Sequence, residues 1–114
     1  MKAVPTVKPR RLDRRNPFKY WTRRYGFFSA FLAGGGSATR EKLVDGAIKT
    51  RAACGIVEGN VEPIKKEIAD HINVWKHAAD KKGYLLTVTE QDGVLTVTHV
   101  GEQTWGEYMA GKVR

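Results

Sequence analysis

Acidic residues are almost absent from the first 40 positions. Asp13 stands alone there against ten lysines and arginines, a balance of +9. Residues 41–114 hold ten basic and eleven acidic side chains, a balance of −1. This excludes an evenly charged globule and describes a near-neutral body with a cationic arm, the distribution expected of a protein that meets nucleic acid or an anionic membrane surface. Cysteine is as scarce. Cys54 is the one thiol, which excludes an intrachain disulfide and suits a reducing compartment, cytoplasmic or particle-associated. No apolar run reaches the length of a spanning helix, and no Asn-X-Ser/Thr glycosylation acceptor occurs.

The residues that would carry enzymatic chemistry are missing too. His71, His77 and His99 have no metal-ligand spacing, and Cys54 belongs to no paired Cys/His motif. Glu67 and His71, four apart, read as an ordinary hydrogen-bonded helix pair. The run "GGGS" is followed by no Lys-Ser/Thr and preceded by no strand, so it reads as a flexible joint and not as a phosphate loop. No catalytic residue, cofactor, metal or small-molecule substrate is expected.

What is present suffices for one domain with a modest core. The chain has 114 residues, 41% of them hydrophobic, with three tryptophans. Residues 1–16 are read as an extended basic arm, because Pro5 and Pro9 oppose a helix and the charge favours solvation. Residues 17–36 are read as an amphipathic aromatic helix and the glycine joint, with Asn16 as N-cap and Pro17 at the first helical position. Residues 37–114 form the body. A helix over about 39–54, capped by Ser37 or Thr39, turns through "GIVEGN", with a short strand at 56–57. A second helix, over about 61–82, is capped by Asn60 and carries the stripe Ile64, Ile68, Ile72, Trp75 and Ala79, with Lys81, Lys82 and Gly83 at its end. A hairpin over about 84–100 turns at Asp92-Gly93, a pair suited to a type I′ turn. Its register then places Gln91 opposite Val94, Thr89 opposite Thr96 and Thr87 opposite Thr98, with Tyr84, Leu86, Val88, Leu95, Val97 and His99 on the apolar face. Trp105, Tyr108 and Met109 in the C-terminal tail are expected to tuck against the body. The fold class is α+β: three helices, then a hairpin packed on the third. That order resembles a winged helix in outline, although no motif residue carries the likeness and the acidic tip "TEQDG" does not suit a DNA-reading wing.

The functional candidates lie near the N-terminus. Lys8, Arg10, Arg11, Arg14, Arg15, Lys19, Arg23 and Arg24 interleave with Phe18, Tyr20, Trp21 and Tyr25. Guanidinium groups can hold phosphates and aromatic faces can stack on unpaired bases, so the run suits RNA or single-stranded DNA. The stripe Phe18, Trp21, Tyr25, Phe28 and Leu32 is read as a contact with the core or with a partner. Together these features describe a non-enzymatic binding or assembly protein. Its arm contacts nucleic acid within a particle such as a ribonucleoprotein or virion, and its body makes protein contacts. One alternative is a peripheral membrane protein anchored by a helix over 17–33. Another is a small inhibitor or regulator docking on a larger protein. The run "TRRYGFF" before "SAFLAGGGSA" also resembles a twin-arginine export signal, but with a long aromatic run-in and no lysine after the apolar pair.

Overall fold

The computed structural model describes residues 13–77 and 86–112 of the chain. Lys8, Arg10 and Arg11 of the arm therefore lie outside the described residues, as do Ala79, Lys81, Lys82, Gly83 and Tyr84. The described part contains four helices and a four-stranded antiparallel sheet, so the expected α+β class holds but the architecture is larger than three helices and a hairpin.

The first helix, α1 (Arg23–Ala33), begins six residues later than the Asn16-Pro17 signal suggests. Thr22 caps it, accepting from the Tyr25 N–H. Asn16 acts otherwise. Its Oδ1 accepts from the Phe18 N–H, an Asx turn, while Nδ2 donates to the Tyr25 carbonyl at 2.8 Å and to Ser29 Oγ at 3.1 Å. The buried amide thus fastens residues 13–22 back along α1. The consequence appears in the aromatic rings. Phe18 and Phe28 would lie about 15 Å apart along one continuous helix, yet their centroids are 5.8 Å apart.

The three glycines after α1 are no flexible joint. Gly36 N–H donates to Phe31 and Gly35 N–H to Leu32, the paired bonds of a Schellman cap, with Gly35 at φ 68° supplying its left-handed residue. Gly36 is buried, and its carbonyl accepts from the Val97 N–H at 2.8 Å. The chain leaves this cap as strand β1 (Ser37–Thr39), which sequence reading does not anticipate, and passes directly into α2 (Arg40–Ala53). Thr39, one of the two candidate caps, caps α2, and Ser37 lies in β1. Residues 56–57 form no strand. The next helix, α3 (Glu62–Lys76), keeps its stripe: Ile64, Ile68, Ile72 and Trp75 are all buried. It ends short of residue 82, because the His77 N–H closes back on Val74 and His77 leaves helical geometry. Asn60 holds the Glu62 N–H, one residue ahead of the N-cap position, Val61.

Strands β2 (Leu86–Gln91) and β3 (Val94–Val100) form the expected hairpin, and both turn residues have positive φ, 52° at Asp92 and 77° at Gly93. Gln91 faces Val94 and Thr89 faces Thr96, but Thr87 faces His99 and not Thr98. Thr98 is the extra residue of a β-bulge. Its hydroxyl donates to the Thr87 carbonyl, and beyond it the strand changes face. Val100 is therefore buried at the place assigned to His99, which is half-buried. β1 pairs with β3, giving the order β1-β3-β2, and the short strand β4 (Gln103–Thr104) also pairs with β3. α4 (Trp105–Lys112) follows. It buries Tyr108 and lays Trp105 and Met109 against the core, the contacts expected of the tail.

One core joins these elements. Phe27, Phe28 and Phe31 from α1 meet Leu43, Val44 and Ala47 from α2, the isoleucines and Trp75 of α3, and the inner face of the sheet.

Candidate nucleic-acid interface

The candidate residues separate into three groups once they are placed. Arg23 belongs to the fold. Its Nη2 lies 2.8 Å from Glu58 Oε2 and its Nη1 lies 3.0 Å from Glu67 Oε1. Arg51 contacts the same Glu58 and donates Nη1 to the Trp21 carbonyl at 2.6 Å. A cation at the positive end of a helix is unfavourable, and these carboxylates offset it for Arg23. The Glu58 side chain is only 7% exposed. Burial raises its pKa, but the hydrogen bonds and charges of Arg23 and Arg51 outweigh burial and hold the carboxyl below its ordinary range. Glu67 is lowered as well, first by its hydrogen bond with His71 and then by Arg23. The Glu67–His71 pair expected from their spacing is thus present, at 3.4 Å, and the imidazole stacks on Trp75 with centroids 5.3 Å apart. Glu58 and Arg51 are invisible as a cluster in the sequence, because seven residues and a turn separate them.

Arg15 forms the second group with Asp13. Both its Nε and Nη2 contact the carboxylate, the latter at 2.8 Å, and this side-chain hydrogen bond lowers the Asp13 pKa. The arm's single acid is thereby matched to one arginine.

Arg14, Lys19 and Arg24 form the third group. All three are exposed, and no ion pair involving them occurs among the described residues. Lys19 Nζ lies 5.5 Å from the Trp21 ring centroid and Arg24 Cζ lies 5.6 Å from that of Phe18, both cation–π distances. Tyr20 and Trp21 meet edge to face, with centroids 5.0 Å apart.

The expected stripe is redistributed. Tyr25 and Phe28 are buried, Phe18 and Leu32 pack on the core while partly exposed, and Trp21 is half-buried and outside the core cluster. Phe27 and Phe31, which only widen the stripe on a helical wheel, are as fully buried as Phe28, at 0% exposure. The surface that covers α1 is the chain's own core.

Cys54 is buried, its thiol donates to the Tyr20 carbonyl, and burial raises its pKa, so it is a protonated structural group at neutral pH. An open groove of about 440 Å³ lies between α2 and the start of α3, lined by Val44, Ile48, Val61 and Ile68 together with Arg40, Glu41, Asp45 and Lys65. No helix among the described residues is long and apolar enough to cross a membrane. No protein-family model, curated protein or solved structure matches this chain.

Proposed function

We propose that this chain is a non-enzymatic binding and assembly protein whose basic N-terminal arm contacts RNA or single-stranded DNA inside a larger particle, while the body makes protein contacts. The observation that carries this reading is the partition of charge, +9 over residues 1–40 against −1 over residues 41–114. Residue placement sharpens it. Arg23, Arg51, Arg40 and Lys76 are matched to carboxylates of the fold. Arg14, Lys19 and Arg24 continue the positive charge of Lys2, Lys8, Arg10 and Arg11 onto the folded surface. The membrane alternative needs the apolar face of α1, and that face lies in the core.

A second reading draws on topology. β1 between α1 and α2, with the sheet order β1-β3-β2, extends the winged-helix outline. A duplex reader of that kind would use α3 and the hairpin tip. The tip carries Glu90 and Asp92, and Glu90 already accepts from Arg40 and Lys76, so we rank this second.

The test is salt dependence. Residues 1–12 hold four cations and no acid. Removing them spares the Asp13–Asn16 contacts that hold this segment to the body. The slope of log affinity against log salt should become shallower by about 3 for a single strand. Absence of binding to any nucleic acid at low salt by the intact chain overturns the proposal.

A further inference from the structure

Two large aromatic rings stand outside the core, and the exposed Lys19 ammonium lies 5.5 Å from the centroid of one of them, Trp21. Tyr20 and Trp21 are half-buried, and neither joins the core cluster, whereas Phe18 and Trp105 pack against it. Each ring of the pair therefore keeps part of its surface in solvent. The backbone beneath these rings is firmly held. The Trp21 carbonyl accepts from Arg51 Nη1 at 2.6 Å and the Tyr20 carbonyl accepts from the Cys54 thiol, so the C-terminal end of α2 fixes both residues. Arg51 is itself held by Glu58. Between Arg14 and Arg24 the sequence holds no carboxylate, and Asp13, which precedes this segment, and Glu58, which holds Arg51, are each bound to arginine.

From this arrangement we infer that Tyr20 and Trp21 form a pre-positioned stacking platform for unpaired bases, with Lys19, Arg24 and Arg14 receiving the flanking phosphates. The inference rests on the nucleic-acid reading above and narrows it to single strands. Stacking requires a base face that a duplex conceals, and it tolerates any sequence because every base has such a face. Lys19 has a definite part. In the free protein its ammonium lies over the Trp21 ring. A stacked base takes that place and the ammonium moves to the adjacent phosphate, where the charge is full and not a ring quadrupole. The loop ordering that usually opposes binding is reduced, because the carbonyls of both residues are already held by Arg51 and Cys54.

The experiment compares a labelled short single strand with a duplex of the same length, at matched salt, against the full chain and its variants. Trp21→Leu keeps apolar bulk but removes the aromatic face. It should weaken single-strand binding by about tenfold and leave the weaker duplex binding nearly unchanged. Trp21→Phe should restore most of the single-strand affinity. Neither change should alter the salt slope, whereas Lys19→Gln should make it shallower by roughly one or less. Thermal unfolding of each variant identifies any loss that comes from misfolding, and the Phe variant keeps the test decisive if the Leu variant unfolds. Equal affinity of Trp21→Leu and the native chain for the single strand overturns the platform. If the salt slope still depends on residues 1–12, the nucleic-acid reading survives that result. Binding to phosphatidylserine vesicles that Trp21→Leu abolishes, with oligonucleotide affinity untouched, overturns it in favour of a lipid surface. No oligonucleotide binding at all removes both readings together.

Discussion

A Cβ on Gly26 would sit 2.3 Å from the Ala47 Cα, and one on Gly46 would sit 2.6 Å from the Gly26 carbonyl oxygen. α1 and α2 therefore cross backbone to backbone, and alanine at position 26 must push two helices apart. Alanine is the better helix former by about 1 kcal/mol, but overlap with fixed backbone costs more. Gly26→Ala should destabilise by about 3 kcal/mol, read from the urea midpoint. Gly106 in α4 has nothing within 4 Å of its built Cβ, so Gly106→Ala should be neutral or slightly stabilising and serves as the control. Sequence offers Gly26 only as a small residue on the polar side of a stripe. That it is an inter-helix contact depends on where residue 47 arrives. Asn16 shows the same limit. Its cap-like chemistry is legible, but its use as a bracket over Tyr25 and Ser29 is a matter of chain path.

At the scale of elements, Glu58 connects α1, α2 and α3. It binds Arg23 and Arg51, and Arg23 in turn reaches Glu67 on α3. Removing one partner of a buried pair leaves the others uncompensated, so Glu58→Gln should cost about 3 kcal/mol at neutral pH. The pH dependence has a definite sign. The folded Glu58 carboxyl titrates below its ordinary value of 4.5, so its stabilising contribution is complete above about pH 4.5. It is lost as pH falls through the folded-state value. Glu67 contributes with the same sign. Unfolding free energies measured from pH 7 downward should thus fall less steeply below pH 4.5 in Glu58→Gln than in the native chain. A parallel profile would mean that the cluster does not couple to folding. The hairpin illustrates what is readable at this scale. Asp92-Gly93 fixes the turn and the first two pairs, because turn geometry is local. The Thr98 bulge lies where β4 joins β3 at His99 and Val100, and no short-range pattern encodes that pairing.

At the scale of the whole molecule, the two ends of the described chain meet. Tyr108 donates its hydroxyl to the Arg15 carbonyl at 2.7 Å, 93 residues away. Phe28 is surrounded by Phe18, Trp105 and Tyr108, with centroids 5.8, 5.8 and 6.3 Å away. α4 thereby holds residues 13–22 on the body, next to the surface proposed to receive nucleic acid. Tyr108→Phe removes the hydrogen bond and should cost about 1 kcal/mol. Tyr108→Ala also opens the aromatic cluster and should cost about 3 kcal/mol or more. Thermal unfolding measures both. The alanine variant should also be cleaved faster by trypsin at Arg14 and Arg15 while the body remains folded. Equal cleavage rates would show that α4 does not fasten the arm.

The sequence by itself determined the charge partition, the Asp92-Gly93 turn and the buried stripe of α3, and narrowed the α2 cap to Ser37 or Thr39, because each depends on residues within a few positions of one another. It also indicated that arginines and aromatics near the N-terminus are the surface to examine. Only the tertiary structure decided which of them remain available. Arg23 meets carboxylates 35 and 44 residues away, Phe27 and Phe31 meet the core, and the glycines close a cap under Trp105. Burial and pairing are properties of surfaces brought together by the path of the chain, and a one-dimensional pattern carries the residues without the path.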